Sequence, residues 1–416
     1  MSGSWDETAG GTAAGEVAVD GAAAGGTVAS AVPYGVWTDL VGQEHVAAEL
    51  IQAARGQGMT HAWLLTGPPG SGRSTAARAF AAALQCTTES EPGCGHCLAC
   101  RTVMDRTHPD VDSLSTDQLS IGVADTRSLV RRSAMTPAGG RWQVILIEDA
   151  DRLTEAAGNV LLKAVEEPSP RTVWILCAPS RDDMLPTIRS RCRGLLLRTP
   201  PSSAVAEILV RRDGVEPMRA REAARAAQGH IGRARRLARD EDARKRRAEV
   251  LALPMSLADL GTALAAAQKL VDAAAGEAKR TAEELDAAET AELRLALGFQ
   301  EGMRKAIPGS AGALKDLETR QKKRSTRMQR DALDLALVDL AAFYRDVLAV
   351  QFGAIGEGGT AEPIHDDQYT AVRKIAAAGS PEATLKRIEA VLACRKAIDR
   401  NVAPLLAVEA MAVSLR

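Results

Sequence analysis

The stretch TGPPGSGRST, residues 66–75, admits few folds. It follows a short apolar run, HAWLLTG, and precedes STAARAFAAALQC, an alanine-rich segment free of Gly and Pro that reads as a helix. Strand, glycine loop and helix in that order is the setting of a phosphate-binding loop. Gly67 and Gly72 bracket four residues, Pro68 and Gly70 suit a tight fixed shape, and Ser74, followed by Thr75, stands in the magnesium-ligand place. Such a loop works through bare backbone amides backed by a helix N-terminus. Arg73 stands where the pattern has lysine, and a planar guanidinium does not replace a compact ammonium. That substitution weighs against ATP and Mg2+ as occupants. The plainer alternative is a turn that merely needs its glycines.

Two later apolar runs, WQVILIEDA and TVWILCA, read as buried parallel strands, and GLLLRT as a further one. Between the first two, TEAAGNVLLKAVEEP reads as a helix ended by Pro168, and upstream Val46, Leu50 and Ala53 recur at helical spacing. Strands alternating with helices over 37–200 predict a doubly wound α/β domain. TPPSSAVAEIL then supplies a break and a helix start, with Ser203 as candidate N-cap and Glu207 nearby. Only helical patterns follow, which predicts a small helical domain over 201–250 and a longer all-α region over 251–416, interrupted by the glycine-rich FGAIGEGGTAEP. Residues 1–36 are Gly, Ala, Thr and Ser with a few acids, and read as a disordered tail.

VILIEDAD ends an apolar strand in acids, as a magnesium-holding strand does. Hydrolysing enzymes of this type carry Asp then Glu, whereas here Glu148 precedes Asp149. Each carboxylate is then one methylene away from its place, and misplacement by ~1 Å costs on the order of a hundredfold in rate. Acids capping the next helix are the alternative.

CTTESEPGCGHCLAC brings Cys86, Cys94, Cys97 and Cys100 together. Two overlapping C-x-x-C steps with a fourth thiol upstream can close a tetrahedral thiolate shell, so a structural Zn2+ is expected. Gly93 and Gly95 let the backbone turn, and His96 is a spare ligand. An iron–sulfur cluster or a redox pair remains the rival. Cys177 and Cys394 read as core packing.

LVGQEHV, LLTGPPGSGRST, the four-cysteine insert, NVLLKAVEEP and IRSRCR, in this order, resemble the bacterial clamp-loader subunits of DNA polymerase III. These are AAA+ proteins that open the sliding clamp and place it on primed DNA. The resemblance runs over about 37–240, and the C-terminal region fits the family's collar in length and helical character. It implies a P-loop AAA+ domain with a zinc module near 86–100, a helical lid over 201–250 and an oligomerising collar. It also implies gamma/tau and delta partners in a hetero-pentamer, the sliding clamp, and primer–template DNA reached through the complex.

Within the family the gamma/tau subunits are ATPase motors, and the delta-prime subunit is a stator. Here Arg73 replaces lysine, Glu148 and Asp149 are reversed, and Ala178 and Pro179 stand where a motor carries polar residues at sensor 1. In the sensor-2 stretch, GHIGRARRLA, Gly232 stands where a motor's arginine would reach the γ-phosphate. Together these departures match the stator branch, and leave open whether nucleotide binds the loop without turnover. The resemblance gives Arg191, in the SRC motif, the role of an arginine finger reaching a neighbour's ATP. Without it Arg191, flanked by Arg189 and Arg193, reads as a surface residue. The resemblance also directs the helix carrying Lys163 toward the ring's central space, near DNA; an exposed lysine without a role is the equal alternative.

Fifty-two basic and 53 acidic residues leave the chain near neutral, so no overall field draws it to nucleic acid or membrane. The basic runs GRARRLARDEDARKRR and RQKKRSTRMQR read first as solvated faces. No segment is long and apolar enough to span a bilayer, and the first basic residue is Arg55, so a secretory signal is not expected and the cytoplasm is.

Overall fold

The computed structural model describes residues 34–297 apart from 89, 117 and 140, together with 299 and 310–416; the side chains of 284 and 310 fall outside it. The expected tail lies outside the described residues as far as residue 33. The strands are β1 (Ala62–Thr66), β2 (Val111–Leu114), β3 (Gln143–Ile147), β4 (Thr172–Ala178) and β5 (Arg193–Leu196). They form one parallel sheet in the order β2-β3-β4-β1-β5.

Helices α1 (Glu44–Ala54), α2 (Arg73–Gln85), α3 (Leu98–Met104), α4 (Val123–Ser133), α5 (Glu155–Glu166) and α6 (Pro186–Arg189) cover this sheet. Every residue of β1, β3 and β4 is buried, which is why these segments are near-continuous apolar runs. Strand alternation divides them between two cores. Trp63, Leu65, Val144, Leu146 and Val173 join Leu50 of α1 and Phe80 of α2. Leu64, Ile145, Ile147 and Trp174 join Leu129 of α4, Leu161 of α5 and Ile188 of α6.

β1 runs between β4 and β5, so the chain leaving it emerges at the carboxyl edge with neighbours on both sides. Open α/β sheets bind ligands in crevices at such edges.

Next come α7 (Ser202–Asp213), α8 (Pro217–Ala226), α9 (Ile231–Arg239) and α10 (Glu241–Ala252), with their own core around Val205, Leu209, Ala220, Ala224 and Leu237. Ser203 does not cap α7. Pro201 holds the N-cap position, with extended dihedrals and no side-chain hydrogen bond, and the helix begins at Ser202. The Pro200–Pro201 pair keeps the chain extended up to that point and leaves Ser203 inside the first turn.

The C-terminal part comprises α11 (Leu260–Ala296), α12 (Ser310–Gln351), α13 (Tyr369–Ala378), α14 (Pro381–Asp399) and α15 (Pro404–Ser414). Leu337, Leu340, Phe343 and Val347 of α12 form its core with Val391 and Met411. At 1.5 Å per residue α12 is about 60 Å long, enough to touch several parts of the molecule. Among the described residues no helix is long and apolar enough to cross a membrane.

Candidate nucleotide cradle and cysteine centre

The glycine loop is pinned on both sides. The Gly67 N–H donates to the Pro179 carbonyl beyond β4 at 3.2 Å, and the Leu197 N–H beyond β5 donates to the Thr66 carbonyl at 2.7 Å. A Cβ at Gly67 would lie 2.6 Å from the Leu197 carbonyl oxygen, so the close approach requires glycine. Gly72, at φ +92°, is the N-cap of α2 and offers it no side-chain acceptor. The first-turn amides, beside Ser74 and Thr75, therefore have the polarity of an anion site. Ser71 Oγ and Arg73 Nη1 are buried with no hydrogen-bond partner among the described residues. Buried donors left unpaired cost free energy, and an anion would satisfy them.

One side of the loop is occupied. A Cβ at Gly70 would come within 2.5 Å of the Cα and Cβ of His230. His230 caps α9, its Nδ1 accepting from the Arg233 N–H at 3.2 Å. Burial, then the charges of Arg233 and Arg73, hold the ring below the usual imidazole range, which keeps it neutral for that bond. Gly232 sits in the first turn of α9, and Arg233 pairs with Asp339 of α12.

Glu148 and Asp149 turn to different partners. Glu148 Oε1 accepts from Arg106 at 3.2 Å, from Ser113 at 3.3 Å and from Arg78 of α2 at 3.4 Å. Asp149 Oδ2 accepts the Thr116 amide at 3.1 Å, while Oδ1 takes Arg327 of α12 at 3.5 Å. Asp149 does not cap the 3-10 turn Ala150–Arg152, and Thr154 caps α5. Both acids thus pair with arginines of the same chain. Nothing in the local sequence signals Arg327, which reaches Asp149 across 178 residues.

The SRC motif follows α6. Arg191 Nη2 pairs with Glu166 of α5 at 2.6 Å and Nη1 donates to the Thr187 carbonyl at 2.7 Å, yet the side chain stays 38% exposed. Its neighbours are engaged elsewhere. Arg189 pairs with Asp182, while Arg193 pairs with Glu49 and lies 5.1 Å over the Trp63 ring. Glu166, which pairs with Arg191, is not identifiable from spacing alone. Lys163 is exposed on α5.

The four cysteines converge: their sulfurs all lie within 4.8 Å of one another. Thiolates around zinc at Zn–S ≈ 2.3 Å sit about 3.8 Å apart, so small movements close the shell and the donor set fits zinc. The Cys97 N–H points at Cys94 Sγ (3.5 Å) and the Cys100 N–H at Cys97 Sγ (3.4 Å), which favours thiolate. Burial opposes ionisation of Cys97, but hydrogen bonds from Thr87 and Cys100 outweigh it and bring the thiol to about 6. Cys94 is lowered in the same way, whereas burial pushes Cys100 up. His96 Nδ1 sits 3.2 Å from the Cys94 carbonyl, outside the sulfur cluster. The module is tied to the start of the described chain: Trp37 Nε1 donates to the Pro92 carbonyl at 2.8 Å and the Val36 N–H to the Gly93 carbonyl at 3.0 Å. Cys177 and Cys394 are buried within the apolar cores, as expected.

The basic runs are solvated in part, with Arg320, Lys322, Lys323 and Lys245 exposed, but many of their arginines are ion-paired. In α9 and α10, Arg233 and Arg247 pair with Asp339, Arg235 and Arg239 with Asp213, and Arg236 and Arg246 with Glu277. In α12, Arg324 pairs with Asp286 and Glu289 of α11. The sequence reading missed this because the acids lie far along the chain.

A five-stranded parallel sheet with a glycine loop after its interior strand, a four-cysteine insert and helical regions after it make an α/β protein with a phosphate-loop-like cradle. A sequence model of the family described as "DNA polymerase III, delta subunit" matches residues 42–201. The Pseudomonas aeruginosa protein named DNA polymerase III subunit delta' is 36% identical over 194 residues, 46% of this chain and 59% of that one. The Bacillus subtilis subunit delta' is 30% identical over 195 residues, 47% and 59% of the two chains. The Mycobacterium bovis subunit gamma/tau is 34% identical over 177 residues, 42% of this chain and 31% of its own. Through this region the chain is similar to DNA polymerase III subunits of both the delta' and the gamma/tau kind. The aligned part spans 31% to 59% of these relatives' lengths.

Proposed function

We propose that this chain is a delta-prime-like subunit of a replicative clamp loader, a stator that does not hydrolyse ATP itself. One observation carries the reading: Glu148 and Asp149 are each engaged by arginines of the same chain, so neither is available to position Mg2+ or an attacking water. Phosphoryl transfer rests on such positioning. Arg73 in place of lysine, Gly232 at sensor 2 and His230 against Gly70 point the same way. On this reading 37–200 is the AAA+ domain, 201–250 its lid and 251–416 the collar. Gamma/tau and delta subunits are its partners, Arg191 serves a neighbour's ATP during clamp loading on primed DNA, and the cysteines hold structural zinc. The cradle of Gly67, Gly70, Gly72, Ser74 and Thr75 is kept as architecture.

A gamma/tau-like ATPase is the second reading, favoured by the buried unpartnered Ser71 Oγ and Arg73 Nη1. ATP turnover by the lone chain, and by the chain reconstituted with clamp-loader partners, clamp and primed DNA, separates the two. The stator reading expects turnover only in the assembly. Brisk hydrolysis by the purified chain, lost on Asp149→Asn, would establish the second reading instead.

A further inference from the structure

A cavity of about 690 Å³ lies between α9–α10 on one side and α11–α12 on the other, apart from the phosphate loop and the cysteines. Its floor is aliphatic, with Leu237, Val250, Leu253, Leu270 and Leu335 among the lining residues. Its polar wall is a network of ion pairs. Asp339 serves both Arg233 and Arg247, and Glu277 serves both Arg236 and Arg246, so four lining guanidiniums meet two lining carboxylates there. Lys269 pairs with Glu249, and Asp240 and Asp367 reach the arginines from outside the lining.

Arg247 is the telling residue. Its side chain is 10% exposed, and its Nε and Nη2 are buried without a hydrogen-bond acceptor among the described residues. Nε is 3.6 Å from Asp339 Oδ1, too far for a hydrogen bond. A buried guanidinium with unused donors costs free energy unless an acceptor reaches it, and a planar carboxylate fits its fork. With Asp240, Asp367 and Glu249 counted, the cations of the wall are matched, so it is the unused Arg247 donors and not net charge that call for a carboxylate. The size lies within the range of small-molecule sites, about 300–1,000 Å³, and the aliphatic floor suits an apolar chain.

We propose that this cavity binds an aliphatic monocarboxylate, its head on Arg247 and its chain along the Leu237–Leu270 floor. The inference does not depend on the clamp-loader reading. The bound molecule would fill the space between α9–α10 and α11–α12 and hold them together. His230 lines the same cavity and touches Gly70, so occupancy would be felt at the phosphate loop.

Calorimetric titration of the full chain with decanoate, below its micelle concentration, tests this, with decanol as the uncharged control. The expected result is one saturable site, bound at least tenfold more tightly by decanoate than by decanol, with a raised melting temperature. Arg247→Met should weaken decanoate at least tenfold and leave decanol unchanged. Ala266→Phe, which fills the cavity from α11, should abolish both. Equal affinity for decanoate and decanol in the unaltered chain, no saturable binding, or unchanged binding by Ala266→Phe would overturn the proposal. The first two outcomes need no variant to fold.

Discussion

Gly70 and Gly72 both adopt left-handed backbone, at φ +83° and +92°, but their surroundings differ. An added Cβ meets His230 at 2.5 Å from Gly70 and nothing within 4 Å from Gly72. Each Gly→Ala carries the backbone cost of about 1–2 kcal/mol, and only Gly70→Ala adds a clash with the α9 cap. Urea unfolding should therefore show Gly70→Ala as the more destabilised by about 1 kcal/mol or more, in line with overpacking costs. Equal losses would mean that His230 does not press on the loop. Asp346 offers a second test. Burial would raise its carboxyl, but the His365 ring and amide and Arg345 outweigh that and hold it below the ordinary value. A depressed carboxylate stabilises the fold fully above its unfolded pKa, about 3.9, and that stabilisation is lost as pH falls through the lower folded value. Asp346→Asn should cost about 1–3 kcal/mol at pH 7, because two His365 donors lose their charged acceptor. The gap between the two proteins, read from unfolding at pH 7, 5 and 3, should narrow only at the acid end.

The cysteine module is held to the body by Trp37, Val36 and the contact of α3 with α2, so its loss should be felt beyond its own loop. One zinc per chain is expected by metal analysis. Cys97→Ser should release it and destabilise the α/β part by about 3 kcal/mol or more, since structural zinc contributes folding free energy directly. A melting curve that does not move, or iron in place of zinc, would refute the assignment. This module was legible in the sequence because its ligands lie within 15 residues and chemistry fixes their spacing. The same holds for β1, β3, β4 and the loop between β1 and α2, where apolar runs and glycines act locally. β2 and α4 were not legible. β2 has four residues, and only Asp112 among them is fully buried, while α4 is a polar helix with few apolar positions. The partners of Glu148, Asp149 and Arg191 were illegible for a different reason. Ion pairs across 25 to 178 residues leave no periodic trace.

Arginines at the surface of a chain of near-zero net charge acquire meaning only from what surrounds them. In the runs of α9, α10 and α12 most are consumed in pairs that tie helices together, which leaves little free charge for phosphate backbones. Arg191 differs. Its pair with Glu166 is solvent-exposed on both sides, at 38% and 40%, so the pair holds the guanidinium in place at little energetic value. A neighbouring nucleotide could draw it away from Glu166 for less than the charge–phosphate contact returns. Arg191→Ala should therefore leave the melting temperature of the isolated chain almost unchanged, within about 1 kcal/mol of stability. In a reconstituted loader it should lower clamp-stimulated ATP turnover by about 10³-fold, as loss of an arginine finger does. Glu166→Gln separates placement from chemistry, since it keeps Arg191 and removes the carboxylate it pairs with. Turnover should then fall far less than in Arg191→Ala. Full activity of the Arg191→Ala assembly would leave the SRC motif without a role in trans, and the stator reading without its contribution to catalysis.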